Sequence, residues 1–312
     1  MRKTIGVAFG GGGARGPAHI GVIKALRQTP ELCPSIVAGT SAGSIAATMY
    51  AAEVVQEEME RTALEFDWFR DVIRFSDTVR MVIEGEHGGL VSNKRLGERI
   101  NGLIHGRGFD QLQTDLAICA TDIDSQTRVI FTSPRVAQRI DSGELEHFLP
   151  PPVAGKPGYK TVVISDYHDI GQAVRASCAV PGIFTPVRIR GMRLVDGGVL
   201  DQVPVDVVRA MGADITVGIS LALSYAPDRL TKLPHVLGAM VGMMGIHQLR
   251  RSLDLADIGF QITGIDQMSP LRAHQPDLIA LGESDMTRHI PTLTERVQAL
   301  NGAAEQLGFG HT

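Results

Sequence analysis

A single serine set between two glycines, Gly39-Thr40-Ser41-Ala42-Gly43, follows the apolar stretch Ile36-Val37-Ala38 and runs straight into Ser44-Ile45-Ala46-Ala47-Thr48-Met49. This pattern requires a strand that turns sharply into a helix, and glycine on either side of the turn removes the Cβ atoms that would block it. The serine hydroxyl is then exposed at the helix N-terminus, where the positive end of the macrodipole favours a developing anion. Ser41 is thus a candidate acylated nucleophile. The competing reading is a small-residue turn in which Thr40 or Ser41 only caps the helix.

A second glycine run, Gly10-Gly11-Gly12-Gly13-Ala14-Arg15-Gly16, follows the apolar Ile5-Gly6-Val7-Ala8-Phe9 and precedes the helix-like His19 to Leu26. Consecutive glycines let several backbone N–H groups point one way, which makes a concavity for an oxyanion, a phosphate or a pyrophosphate. Gly11, Gly13 and Gly16 also satisfy the GxGxxG dinucleotide fingerprint. Against that reading, Arg15 is unusual inside such a loop. The next strand also delivers Thr40-Ser41 where an acidic ribose ligand belongs, and the lysine of a Walker-type loop is absent.

The third block, Leu194-Val195-Asp196-Gly197-Gly198, lies after the strand-like Pro186 to Arg190 and before Val203 to Arg209. Asp-Gly alone signals a tight turn. It acquires chemical interest because Ser41 requires a base.

Taken in order, Gly11-Gly12-Gly13-Ala14-Arg15-Gly16, Gly39-Thr40-Ser41-Ala42-Gly43 and Asp196-Gly197-Gly198 resemble the motif blocks of the patatin-like phospholipase family, especially its compact bacterial members. Arg175 to Phe184 and Asp196 through Pro204-Val205 are similar as well, so the likeness runs from about residue 4 to residue 220. The resemblance implies a three-layer α/β/α fold with a mainly parallel central sheet and a small helical cap. It implies hydrolysis of lipid acyl esters, of phospholipase A, lysophospholipase or esterase type, through a Ser–Asp dyad and an acyl-enzyme. Ser41 is then the nucleophile, Asp196 its base, and the amides of Gly11, Gly12 and Gly13 the oxyanion donors. Arg15 organises the loop or contacts an anionic substrate group, while Gly16, Gly39, Gly43, Gly197 and Gly198 shape the turns. No cofactor and no metal are implied.

An aspartate is a weak base at its reference pKa of about 3.9, so the dyad asks the fold to raise it. The alternative is a Ser–His–Asp triad in which Asp196 orients a later histidine, with His235, His247, His274, His289 and His311 as candidates. None of these lies in a convincing loop after a strand. A nucleotide-binding oxidoreductase built on GxGxxG and a catalytically idle regulatory relative complete the alternatives.

The chain has 312 residues, of which 44% are hydrophobic and 21% charged, an ordinary globular composition. Its net charge of −4 argues against nucleic-acid binding. Cys33, Cys119 and Cys178 are widely spaced with no CxxC, which suggests neither a disulfide framework nor a zinc site and favours a reducing, cytoplasmic setting. The basic start Met1-Arg2-Lys3 leads an apolar run too short for a signal peptide, and no stretch reaches the roughly 18–20 apolar residues of a spanning helix. A lipid substrate must therefore be met from water, by transient contact with a membrane surface.

One patatin-like domain over residues 1–312 is expected, with core motifs at 4–220, a helical cap at about 53–105, an insert at about 142–168 and a helical C-terminal extension at about 233–312. Strands are expected at 4–9, 35–38, 115–121, 127–132, 186–190 with 193–195, and 214–220. Phe66, Trp68, Phe69 and Phe75 suit either cap packing or an acyl-chain lining. The insert, with Pro150-Pro151-Pro152 and Pro157-Gly158, is read as a flap or a surface excursion. Val236 to Ile246 carries a GxxxG step at Gly238 and Gly242 and reads as a buried or subunit-facing helix, compatible with a homo-oligomer. Leu293 to Leu307 reads as an amphipathic helix.

Overall fold

The computed structural model describes residues 3–65, 91–149, 151, 158–221, 236, 240, 248–265 and 275–306. In chain order these include β1 (Ile5–Phe9), α1 (Pro17–Arg27), β2 (Ile36–Thr40), α2 (Ala42–Ala51), α3 (Gln56–Glu65), α4 (Lys94–Leu103), β3 (Asp115–Asp122) and β4 (Thr127–Thr132). There follow α5 (Pro134–Ala137), α6 (Ser142–Glu146), β5 (Lys160–Ile164), α7 (Ile170–Ser177), β6 (Val187–Ile189), β7 (Met192–Asp196), α8 (Val205–Ala210), β8 (Ile215–Ser220), β9 (Ile258–Gln261) and α9 (Gln275–Gln306).

The strands form one mostly parallel sheet in the order β5-β4-β3-β2-β1-β8-β9, with β7 paired to β3 and β6 to β7. Successive side chains of a strand point to opposite faces, and burial follows that alternation. Ile5, Val7, Phe9, Val37, Ile118 and Ala120 join the core under α1, α2, α7 and α9. Ala8, Ile36, Ala38, Ala117 and Cys119 join a second core under α8 and the short helices after β4. Both faces are covered, which gives three layers, α/β/α. Among the described residues no helix is long and apolar enough to cross a membrane.

Two strands were not anticipated, and both sit at the ends of the sheet. Within the expected insert, α6 and β5 form regular structure, and β5 runs parallel to β4 from Lys160 opposite Thr127 to Ile164 opposite Phe131. Its Lys160 and Val162 face outward, so the pattern lacks the apolar continuity of an interior strand. β9 has only four residues and alternates buried with exposed. The C-terminal helix starts at Gln275 and continues through Pro291, whereas a proline inside a helical pattern normally reads as a boundary. Burial of Leu278, Ile279, Met286 and Leu293 along one stripe carries it past the break.

Of the expected cap, α3 and α4 are formed, while Phe66, Trp68, Phe69 and Phe75 lie outside the described residues. So do residues 150 and 152–157 of the insert and most of 236–246. In that last stretch only Val236 and Met240 are described; both are helical and exposed rather than buried.

Candidate active site

Strand β3 is longer than β2, and this length difference builds the site. β2 pairs with the first part of β3 in parallel, ending with Thr40 opposite Cys119. There β2 turns away into α2, and the freed edge of β3 is taken up by β7 running the other way, with Asp196 opposite Ala120. The two strands approach each other end to end along one edge. Their last residues bring Ser41 and Asp196 together from 155 positions apart in sequence.

Ser41 occupies a backbone conformation of φ 53° and ψ −125°, which costs a non-glycine residue about 1–3 kcal/mol. Its surroundings hold it there. The Ser41 N–H donates to Ser177 Oγ at 2.8 Å, Ser177 Oγ donates to the Cys119 carbonyl at 2.6 Å, and Ser44 Oγ donates to the Ser41 carbonyl at 2.6 Å. The turn packs so tightly that a Cβ on Gly43 would lie 2.0 Å from the Phe9 carbonyl oxygen, and one on Gly39 would lie 2.4 Å from the Gly43 carbonyl oxygen. Glycine is therefore required at both positions by close approach.

Asp196 is 3% exposed, and its Oδ1 accepts the Gly198 N–H at 2.8 Å. Burial pushes its carboxyl up to about 6, while hydrogen bonding from the Ser41 hydroxyl and the Gly198 N–H pulls the other way. Gly197 and Gly198 form the tight turn that follows it. Among the described residues no histidine stands between Ser41 and Asp196. His19 is buried against Phe9, with Nε2–H donating to the Gly10 carbonyl at 2.8 Å, and burial lowers it to about 4, so it is neutral. His289 stacks on Phe260 with ring centroids 4.0 Å apart. His235, His247, His274 and His311 lie outside the described residues.

The glycine loop differs from expectation in one respect. The Gly11 N–H donates to the Gln202 carbonyl at 3.0 Å, so this amide is committed and is not an oxyanion donor. The N–H groups of Gly12 and Gly13 make no hydrogen bond within the described residues. The carbonyls of the same two glycines accept from Arg15 and Gly16, closing a short 3-10 turn. Arg15 is 1% exposed, with Nη1 3.5 Å from the Leu221 carbonyl, a placement in the wall of the loop that suits an organiser better than a contact for a free anion.

Beside Gly13, Gly16 and Ala42 opens a cavity of about 70 Å³, walled chiefly by apolar side chains including Ile45, Met49 and Ile100 from α2 and α4. Among the described residues no group of three or more His, Cys, Asp or Glu could hold a metal ion. Ser177, Gln202 and His19 brace the site and were not singled out from sequence. Ser177 and Gln202 fall in the stretches 175–184 and 196–205, where the resemblance implies no chemical role for either residue.

The family described as Patatin-like phospholipase matches residues 7–209. An uncharacterized NTE family protein of Mycobacterium tuberculosis is 26% identical over 292 residues, covering 94% of this chain and 68% of its own. The lysophospholipase nte1 of Aspergillus fumigatus is 28% identical over 225 residues, covering 70% of this chain but only 12% of that much longer protein. Among solved structures, VipD from Legionella pneumophila superimposes with a TM-score of 0.50 at 15% identity over 93% of this chain and 67% of its own, a likeness of fold.

Proposed function

The chain belongs to the patatin-like phospholipase family, and from that premise we propose that it cleaves carboxylic ester bonds of phospholipids or lysophospholipids through a Ser41–Asp196 dyad. Ser41 Oγ attacks the ester carbonyl as its proton passes to Asp196, and the N–H groups of Gly12 and Gly13 receive the oxyanion. Collapse expels the alcohol, which takes the proton from Asp196. A water, deprotonated by the same carboxylate, then attacks the acyl-enzyme, and collapse releases the fatty acid as Ser41 Oγ takes the proton back from Asp196.

The observation that carries this reading is the end-to-end meeting of β2 and β7 on β3, which sets a strained serine against a buried carboxylate with no imidazole of the described residues between them. A base near 6 is better matched to neutral pH than one near 4. The apolar cavity beginning at Gly13 and Ala42 supports a hydrocarbon acyl group. Exposed Val55 and Leu64, close in sequence to the cavity residues Thr62 and Ala63, support approach to a lipid surface. Three unpaired thiols support a reducing, cytoplasmic setting.

The direct test is fatty-acid release from phosphatidylcholine and lysophosphatidylcholine in the presence of a chelator. The wild-type protein is expected to release acid, and Ser41→Ala to lose on the order of 1000-fold or more. Retained activity in Ser41→Ala, or a requirement for calcium, contradicts the reading.

A further inference from the structure

Gln202 lies six residues beyond Asp196 and 7% exposed, with both its backbone and its side chain turned to Gly11. Its carbonyl accepts the Gly11 N–H at 3.0 Å, and its Nε2 donates to the Gly11 carbonyl at 3.1 Å. Gly11 is thereby held at both polar groups by one residue. The nucleophile stands beside the same face of Gly11: a Cβ built on Gly11 would lie 3.0 Å from Gln202 Nε2 and 3.3 Å from Ser41 Cβ. The other end of the Gln202 amide reaches the Asp196 turn, where a Cβ on Gly198 would lie 2.4 Å from Oε1.

The preceding residue ties the same segment to the rest of the site. The Asp201 N–H donates to the Gly197 carbonyl at 2.8 Å, and the Asp201 carbonyl accepts from Thr40 Oγ1, the residue before Ser41, at 2.9 Å. Residues 201 and 202 thus touch the nucleophile strand, the carboxylate turn and the glycine loop. A free Gly12 or Gly13 amide can stabilise an oxyanion only if the loop that carries it does not move relative to Ser41, because such donors act through preorganised geometry.

We propose that Gln202 is a positioning residue that fixes the oxyanion loop against Ser41 through its side-chain amide. This inference rests on the Ser41 reading given above. Gln202→Met keeps the length of the side chain and the backbone bond to Gly11 but loses the Nε2 donor. Its effect belongs to the transition state: kcat for a short-chain ester falls about 10- to 100-fold with KM within about threefold. A trifluoromethyl ketone, whose hemiketal oxyanion occupies the same donors, weakens by a factor similar to the loss in kcat/KM. The acid limb of the pH–rate profile, which reports on Asp196, stays in place.

Gln202→Glu serves as the second variant at pH 8, since a carboxylate of similar shape cannot donate to the Gly11 carbonyl; kcat is expected to fall at least as far as in Gln202→Met. Circular dichroism and thermal melting identify any variant that has lost its fold, and the folded one carries the comparison. Wild-type kcat in either folded variant overturns the inference, as does equal weakening of ground-state substrate and ketone. A displaced acid limb in the uncharged Gln202→Met variant would also overturn it, because Gln202 would then act on Asp196. These outcomes are separate from failure of the dyad itself, which appears as hydrolysis by the wild-type protein that survives Ser41→Ala.

Discussion

The Asp196 carboxyl carries opposite consequences for rate and for stability. Only its ionised form accepts the Ser41 proton, so kcat/KM is expected to fall about tenfold per pH unit below about 6. In the folded protein its pKa is raised from 3.8 to about 6 by burial, so the native state binds this proton more readily than the unfolded chain. The group's contribution to stability is fully present below about pH 4 and is lost as pH rises through 6, leaving a deficit of about 3 kcal/mol in neutral solution. Asp196→Asn, still able to accept the Gly198 N–H, is expected to lose turnover at pH 8 while its urea midpoint there rises. At pH 4 its midpoint should differ little from wild type. A midpoint lowered at pH 8 contradicts the assignment of a buried, strained charge. At this scale the turns that carry the proposed Ser41 and Asp196 were legible in sequence, because a glycine stands two residues to either side of Ser41 and two follow Asp196 directly. The commitment of the Gly11 amide was not legible, because it depends on a carbonyl 191 positions away.

Helix and strand boundaries in the centre of the sheet followed the apolar pattern closely, since interior strands buried on both faces read as continuous apolar runs. The elements missed, β5 and β9, flank that centre, where half-exposure and short length erase the signal. One link from the centre toward that margin is ionic. Arg128 on β4 is fully buried, its Nη1 donating to Asp201 Oδ2 at 2.8 Å and Asp206 Oδ2 at 2.7 Å, with Nη2 donating to the Leu145 carbonyl at 3.1 Å. Burial works against its charge, but the carboxylates of Asp206 and Asp201 outweigh it and raise its pKa. This cluster anchors the start of the segment 201–206 that braces the site. Arg128→Met leaves two buried carboxylates without their counter-ion and is expected to destabilise the protein by about 3–5 kcal/mol in urea unfolding. Replacing Arg128, Asp201 and Asp206 together with apolar residues should recover most of that loss. A cost below about 1 kcal/mol for Arg128→Met alone would mean that the cluster is solvated in solution.

At the scale of the molecule, the three motif blocks converge on one end of the sheet because β1, β2 and β7 all finish there, the place where open α/β sheets assemble their sites. Fold class was legible from the alternation of strands and helices. The partnership of β7 with β3 was not, because no local pattern encodes a strand that continues another strand's edge. The proposed chemistry depends on that junction's leaving Ser41 as the activated hydroxyl. The most direct measurement is labelling of the wild-type protein with a fluorophosphonate, followed by mass spectrometry of the modified peptide. The adduct is expected on Ser41 alone, absent in Ser41→Ala and slowed in Asp196→Asn. An adduct on another serine, or undiminished labelling of Ser41→Ala, would contradict the Ser41–Asp196 site.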